Sequence, residues 1–381
     1  MIVKEMRGSR ALHRITVINP FGGAAHRQSI WENIARNSGI EVIMFVPIIW
    51  RNEYGRKVEA NLRSDVLTLK AIPTMLAGKI PLHFFRQTSE IKEYASQSDL
   101  TYIYNEAHFA STIQIANVIS KDIIFGFHSN QNIERSYPFP FSNGEKFVFG
   151  RANFATSLSE NVSKVLQSKS FSGAIGRHRF GLEDFWFEDI TAMKGTPSFV
   201  FVGRFVEEKG IDTILDAFKH IRTKCRLTFV GAGPILRLIN NSRADLRSHI
   251  IETLLANTQH EMIKCLDEAD CIIVPSKTTK SWKEQFGRVV IEGGARGVYP
   301  LVSSSGELPY LVQEIGFGQV FEENNPEELR KLTESVISNL ELIRSKRIAR
   351  GNTIKQLFNE NSIATELANF LQLIINNSIR S

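Results

Sequence analysis

At 381 residues, 43% apolar and 23% charged, the chain has the composition of a globular protein and the length of two domains. Its net charge is +6, and residues 1–100 hold fourteen basic against nine acidic side chains, or +5 of that excess; no basic–aromatic motif accompanies them, which argues against nucleic-acid binding. No apolar run nears the roughly 18–20 residues of a membrane span, the first ten residues lack the apolar core of a signal peptide, and Cys225, Cys265 and Cys271 show no CxxC spacing, which argues against a disulfide or metal scaffold and fits a reducing cytosol.

Short apolar runs alternate with helical patterns from the start. Residues 15–19 read as a strand, followed by a loop through Gly22-Gly23 and a helix over 28–36. Strands follow at 41–46, which Pro47 ends, and at 66–72, 100–104 and 122–127; the last two flank a helix over 111–119. Such alternation predicts a parallel α/β sheet. The pattern restarts near Pro197 with strands at 199–202, 226–230, 271–274 and 300–303, and helices at 211–221 and 260–267. Two units joined around residues 175–195 follow, one over 1–180 and one over 181–361. Residues 362–376 carry Ile363, Leu367, Phe370, Leu371 and Ile374 at helical spacing and read as an amphipathic helix within the terminal segment 362–381.

The second half concentrates the chemistry. Glu284 and Glu292 stand eight positions apart, with Phe286-Gly287 between them. This reads as a loop at a strand's carboxyl end, a tight turn and a helix start, with Glu292 roughly one and a half turns in. Ligands bind at that edge of an open parallel sheet, and a helix start presents backbone N–H groups to an anion. Two carboxylates beside an anion site suit a ligand with hydroxyls on both sides of a phosphate; the alternative is two solvated helix carboxylates. Gly203-Arg204 and Lys209-Gly210 follow the strand at 199–202, so both cations project from a strand-to-helix loop. They would neutralise a diphosphate, or would be two exposed cations. Gly231-Ala232-Gly233-Pro234 is a tight turn and no dinucleotide fingerprint, because its glycine series is incomplete. His128 ends the strand at 122–127; alone it reads as a structural hydrogen-bonding group.

Taken together, Gly203-Arg204…Lys209-Gly210, Trp282-Lys283-Glu284-Gln285-Phe286-Gly287-Arg288 and the Glu-x7-Glu spacing resemble the retaining nucleotide-sugar glycosyltransferases of family 4, in a branch of bacterial polysaccharide type. The chain departs from that pattern with Gly293, where Ala is usual, and with Ser305-Gly306, where two glycines are usual. The resemblance implies a GT-B fold, two Rossmann-like doubly wound parallel-sheet domains facing across a cleft, with the last helix returning to the N-terminal one.

For the site it implies that Arg204 and Lys209 hold the donor diphosphate, that Glu284 binds hydroxyls of the transferred sugar, and that Glu292 binds the ribose. Phe286 and Gly287 would assist through backbone N–H groups, Gly203 would shape the phosphate loop, and Gly22 and Gly23 would border the donor pocket. His128 would make a polar contact with the sugar or the acceptor, Glu106 would lie on the acceptor side, and the loop at Ser305-Gly306 would close the pocket behind the glutamates. No metal cofactor is expected, since the cations take its place, and front-face attack is the implied route to retention. The expected partners are a nucleotide-sugar donor and a glycan or lipid-linked acceptor. A basic N-terminal region with apolar residues over 72–85 beside Lys79 and Arg86 suggests a cytoplasmic protein drawn to an anionic membrane surface, or else an ordinary packed segment. A nucleotide-sugar-binding subunit without transferase activity is the alternative, which the intact Arg, Lys and Glu set opposes. A Rossmann oxidoreductase is a second alternative, opposed by the missing fingerprint.

Overall fold

A computed structural model describes residues 13–20, 28–47, 49–51, 57–59, 66–69, 71–72, 84–86, 88–191 and 193–379. The chain divides into two compact units, residues 1–181 with 360–381, and residues 182–359.

Seven parallel strands make the sheet of the first unit: β1 His13–Ile18, β2 Ile40–Pro47, β3 Val66–Leu69, β4 Leu100–Ile103, β5 Ile124–Ser129, β6 Phe154–Ser157 and β7 Ala174–Arg177. Their spatial order is β7-β6-β5-β4-β1-β2-β3. The order runs outward in both directions from β1 and β4, so the sheet is doubly wound with its switch point there. Both faces are covered. Ile18, Ile103 and Phe127 pack on one side with Phe45, Ile115 and Val148. Val17, Tyr102 and Phe154 pack on the other with Trp31. Adjacent strand residues are thus buried on opposite faces, which is why these strands read as continuous apolar runs instead of alternating ones. The expected strand at 66–72 is split: β3 stops at Leu69, and Ala71–Ile72 pairs antiparallel with Phe84–Phe85 in a separate ribbon.

The last helix spans Glu360–Ile379 and lies against the Ser29–Ser38 helix in this unit. Ala364, Leu367, Ala368, Leu371 and Ile375 are its buried stripe, in one cluster with Trp31, Ile34, Ile15 and Val17. The 3.6-residue periodicity at the end of the chain is therefore spent on the core of the first unit.

The second unit repeats the plan with β8 Ser198–Val202, β9 Arg226–Val230, β10 Ile250–Leu254, β11 Cys271–Val274, β12 Tyr299–Ser303 and β13 Gln319–Phe321. All are parallel, in the order β10-β9-β8-β11-β12-β13, and the switch point falls between β8 and β11. Its entry and exit segments are tied together: Leu182 N–H donates to the Phe358 carbonyl at 2.8 Å, and the Asn359 amide donates to Asp184 at 2.7 Å. Arg296, only 2% exposed, donates to the carbonyls of Trp186, Glu188 and Asp189 and to the Asp267 carboxylate. A buried guanidinium with this many acceptors is the kind that burial tolerates. It fastens the segment that leads into the unit.

Candidate functional site

In the second unit the loops after β8 and β11 meet at the switch point. The loop after β8 runs through Gly203 and Arg204 into a 3₁₀ turn, Glu207–Lys209, and the helix Ile211–Phe218 begins after Gly210. Gly210 has φ +66°, and a Cβ there would meet the Pro275 carbonyl oxygen at 1.9 Å. Only glycine lets the β8 loop approach the β11 loop this closely. The approach is secured by the Lys277 N–H, which donates to the Glu208 carbonyl at 2.8 Å, and by the Lys277 ammonium, 2.5 Å from Asp212.

This contact delivers Lys209 to Glu284. The Lys209 Nζ lies 2.7 Å from Glu284 Oε2, and the Ser276 hydroxyl donates to the same oxygen at 2.8 Å. Lys209 also sits 4.8 Å from the centroid of the Trp282 ring, within cation–π range. Behind them, the Glu284 backbone is clasped by the next loop. The Glu307 N–H donates to the Glu284 carbonyl at 3.2 Å, and at Gly306 (φ +56°) a Cβ would strike that carbonyl oxygen at 2.0 Å. The Ser305-Gly306 sequence thus packs on Glu284, and a left-handed residue without a side chain is required there.

Gly287, at φ +83°, precedes the helix Arg288–Ala295, and Phe286 before it is buried. Glu292 is the fifth residue of that helix. Its carboxylate accepts from Arg288 Nε at 2.8 Å. Burial raises the Glu292 carboxyl above the usual carboxylate range, and Arg288 draws it partly back. The side chains of Glu284 and Glu292 are each 12% exposed, so the reading of two solvated helix carboxylates does not describe them. Arg204 is different: its side chain is 68% exposed and 3.5 Å from Glu208. The second unit therefore holds Gly203, Arg204, Lys209, Glu284, Phe286, Gly287 and Glu292 in adjoining loops and one helix start. The cations and helix start can take an anion, and the carboxylates can accept hydroxyl donors.

Three contributors were given no role by sequence reasoning. Ser276 follows β11 after Pro275, Trp282 lies two residues before Glu284, and Arg288 is four residues before Glu292, a spacing that pairs charges on a helix.

In the first unit His128 lies inside β5 and is buried (1% exposed). Its Nδ1 is 2.9 Å from Thr156 Oγ1, its Nε2 is 2.9 Å from Asn130 Oδ1, and its ring stacks on Tyr104 with centroids 4.1 Å apart. Burial drops its pKa to about 3, against the Asn130 bond, which favours the charged ring. Glu106 accepts from the Asn130 N–H at 2.5 Å and from the Ser129 hydroxyl at 2.8 Å. Burial pushes its carboxyl to about 7, and those two donors oppose the rise. Glu106 thus shapes the loop that holds His128. His108 nearby is buried and stacks on Tyr137 with centroids 3.8 Å apart; its Nδ1 has no hydrogen-bond partner among the described residues. Gly22 and Gly23, expected beside the donor, lie outside the described residues, as does Lys79.

Comparison with known proteins follows this geometry. Residues 183–352 match the family model Glycosyl transferases group 1. An uncharacterized glycosyltransferase of Methanocaldococcus jannaschii is 31% identical over 143 residues, 38% of this chain and 39% of that protein. TuaC of Bacillus subtilis, named for teichuronic acid biosynthesis, is 29% identical over 262 residues, 64% of this chain and 63% of that protein. The chain therefore spans 39% and 63% of the lengths of these two relatives. Among solved structures, a glycosyltransferase from Rickettsia africae superposes with a TM-score of 0.68 at 16% identity, over 96% of this chain and 99% of that one. Anabaena HepE in complex with UDP superposes with a TM-score of 0.65 at 12% identity, over 94% and 100%. These likenesses show the fold, the two-Rossmann GT-B architecture.

Proposed function

We propose that the chain, whose residues 183–352 match the group 1 glycosyl transferase model, moves a sugar from a nucleoside-diphosphate donor to an acceptor hydroxyl with retention at the anomeric carbon. The observation that carries this reading is the convergence of Lys209 and Ser276 on one oxygen of Glu284 at the switch point, with Glu292 at the adjoining helix start. That set offers cations to a diphosphate and carboxylates to hydroxyls on either side of it. HepE, solved in complex with UDP, supports a nucleotide donor by analogy of fold, and TuaC supports a glycan-synthesis setting.

In this reading Lys209 and Arg204 stabilise the negative charge that grows on the departing diphosphate. Lys209 exchanges its Glu284 contact for phosphate oxygens, which releases Glu284 to accept from sugar hydroxyls. Glu292 accepts from the ribose, and the start of the Arg288–Ala295 helix adds its dipole beside the phosphates. The bond from the anomeric carbon to phosphate oxygen breaks as the acceptor oxygen bonds the same face of that carbon, and the acceptor proton passes to a phosphate oxygen. Acceptor recognition falls to the first unit, where His128 and Glu106 lie. A lipid-linked or surface-glycan acceptor and a metal-independent reaction complete the proposal.

Calorimetric titration with UDP, GDP and dTDP, followed by hydrolysis assays with the matching labelled nucleotide sugars, tests it. Binding of one nucleotide with donor turnover is expected. Binding without turnover would favour a nucleotide-sugar-binding subunit, and no nucleotide binding would reject both.

A further inference from the structure

Four side chains of the first unit form a single buried line across β5, β6, β4 and the end of β7. His128 Nδ1 is 2.9 Å from Thr156 Oγ1, Thr156 Oγ1 is 2.6 Å from the Tyr102 hydroxyl, and that hydroxyl is 2.9 Å from His178 Nδ1. All four residues are buried, Thr156 and Tyr102 completely. The parallel register brings them into line: Thr156 lies opposite His128 across β5 and β6, and Tyr102 opposite Gly126 across β4 and β5.

The line has one self-consistent direction. Asn130 Oδ1 can only accept, so His128 Nε2, 2.9 Å away, carries the proton and donates. A neutral ring protonated at Nε2 has its lone pair at Nδ1 and accepts from Thr156. Thr156, its proton used, accepts from Tyr102, and Tyr102 in turn accepts from His178 Nδ1–H. Reversing any one link sets a lone pair against a lone pair, or two protons face to face, among buried side chains; turning the Asn130 amide to present its NH2 group to His128 would require Thr156, Tyr102 and His178 all to reverse with it. A doubly protonated His128 would donate from Nδ1 as well and so reverse the Thr156 link, but burial opposes the cation. The stacked Tyr104 ring, 4.1 Å away, leaves the imidazole plane fixed as well.

We propose that Tyr102 and His178 are positioning residues that hold His128 as the neutral Nε2–H tautomer through Thr156. The proposal rests on the reading of His128 as a side chain that meets the transferred sugar or the acceptor, and it adds two residues that touch neither. It makes His178 the opposite tautomer, protonated at Nδ1.

The test is imidazole ¹⁵N–¹H correlation spectroscopy on the full chain, with His128 and His178 assigned by single substitution. A pyrrole-type Nε2 and pyridine-type Nδ1 on His128, with the inverse on His178, are expected near neutral pH. Tyr102→Phe removes the link, and His178→Phe removes its terminal donor; each should turn the His128 pattern into a mixture of tautomers. His178→Asn, which keeps a donor near the Nδ1 position, should restore it. With UDP-glucose or GDP-mannose, whichever the protein hydrolyses, Tyr102→Phe should lower kcat about tenfold, the scale of one lost hydrogen bond, with KM within about twofold. A His128 protonated at Nδ1 in the unaltered protein, or an unchanged pattern in both folded variants, overturns the proposal. The tautomer readout needs no turnover. Absent transferase activity would therefore reject the proposed function and leave the tautomer result to be judged by itself.

Discussion

Glu284 and Glu292 are equally buried but differently engaged, and their substitutions should separate. Glu292 is tied to Arg288 in the helix and is assigned to the ribose, so Glu292→Ala should weaken binding of the nucleoside diphosphate product itself. Loss of a hydrogen bond to a charged group costs about 1.5–3 kcal/mol. Glu284 holds Lys209, so Glu284→Ala frees the cation while removing the proposed sugar contact. Intact donor should then lose far more affinity than product. Calorimetry on both variants decides it, and parallel losses of donor and product in Glu284→Ala would refute the division of roles. A second residue-scale effect concerns pH. His108 is buried and its pKa is lowered to about 4 by burial first and by Lys169 and Arg135 after it. An unfolded histidine titrates near 6.5, so the native state refuses a proton that the unfolded chain takes. The stability this group contributes is full above about 6.5 and is lost as pH falls through about 4. His128, at about 3, acts in the same sense, whereas Glu106, raised to about 7, contributes stability at low pH that is lost as pH rises through that value. His108→Phe keeps the stack on Tyr137 and deletes one titration. Its melting temperature should fall less than the parent's between pH 7 and pH 4, and an equal fall would show that His108 is not among the groups responsible.

At the scale of elements, the helix Glu360–Ile379 is the clearest case of sequence periodicity turned into packing. Leu367 is fully buried beside Trp31 and Val17, so Leu367→Ala should destabilise the first unit by about 2–5 kcal/mol, read as a lower urea midpoint. A change under about 0.5 kcal/mol would mean that the helix is not part of that core. This helix was legible from the sequence because five apolar residues recur at helical spacing. β8, β9 and β11 were legible too, since each is a short apolar run bounded by polar or glycine residues. β6 and β7 were not: Phe154-Ala155-Thr156-Ser157 and Ala174-Ile175-Gly176-Arg177 are short and half polar, and the first is a strand because its register places Thr156 in the buried hydrogen-bonded line. The site divides in the same way. Glu284, Lys209 and Gly287 carry a local signal, namely charge or glycine at a strand-to-helix junction. Ser276 and Arg288 become partners only when the β8 and β11 loops close or the helix sets its i,i+4 pair. Tyr102 and His178 lie 76 positions apart, and no local pattern joins them.

At the scale of the whole molecule, two expectations concern what the protein needs around it. In the proposed reading Arg204 and Lys209 take the place of a metal beside the diphosphate, and the chain contains no Asp-x-Asp sequence; on that reading donor turnover should persist in EDTA, and loss restored by magnesium or manganese would overturn it. The second expectation is association with a membrane surface. Among the described residues no helix is long and apolar enough to cross a membrane. The first hundred residues hold +5 of the net charge of +6. Within the apolar stretch over 72–85 Phe84 is 38% exposed, Phe85 at its end is buried, and Arg86 just beyond it is exposed. Each Lys or Arg near an anionic bilayer contributes roughly 1 kcal/mol, and exposed aromatic side chains add apolar contact at the headgroup boundary. The chain should thus co-sediment with phosphatidylserine-containing vesicles at low salt, release as salt rises and shortens the Debye length, and ignore neutral vesicles. Lys79→Glu combined with Arg86→Glu should weaken that binding at unchanged melting temperature. Equal binding to neutral and anionic vesicles would remove the electrostatic account, and no binding at low salt would direct the search to a soluble acceptor.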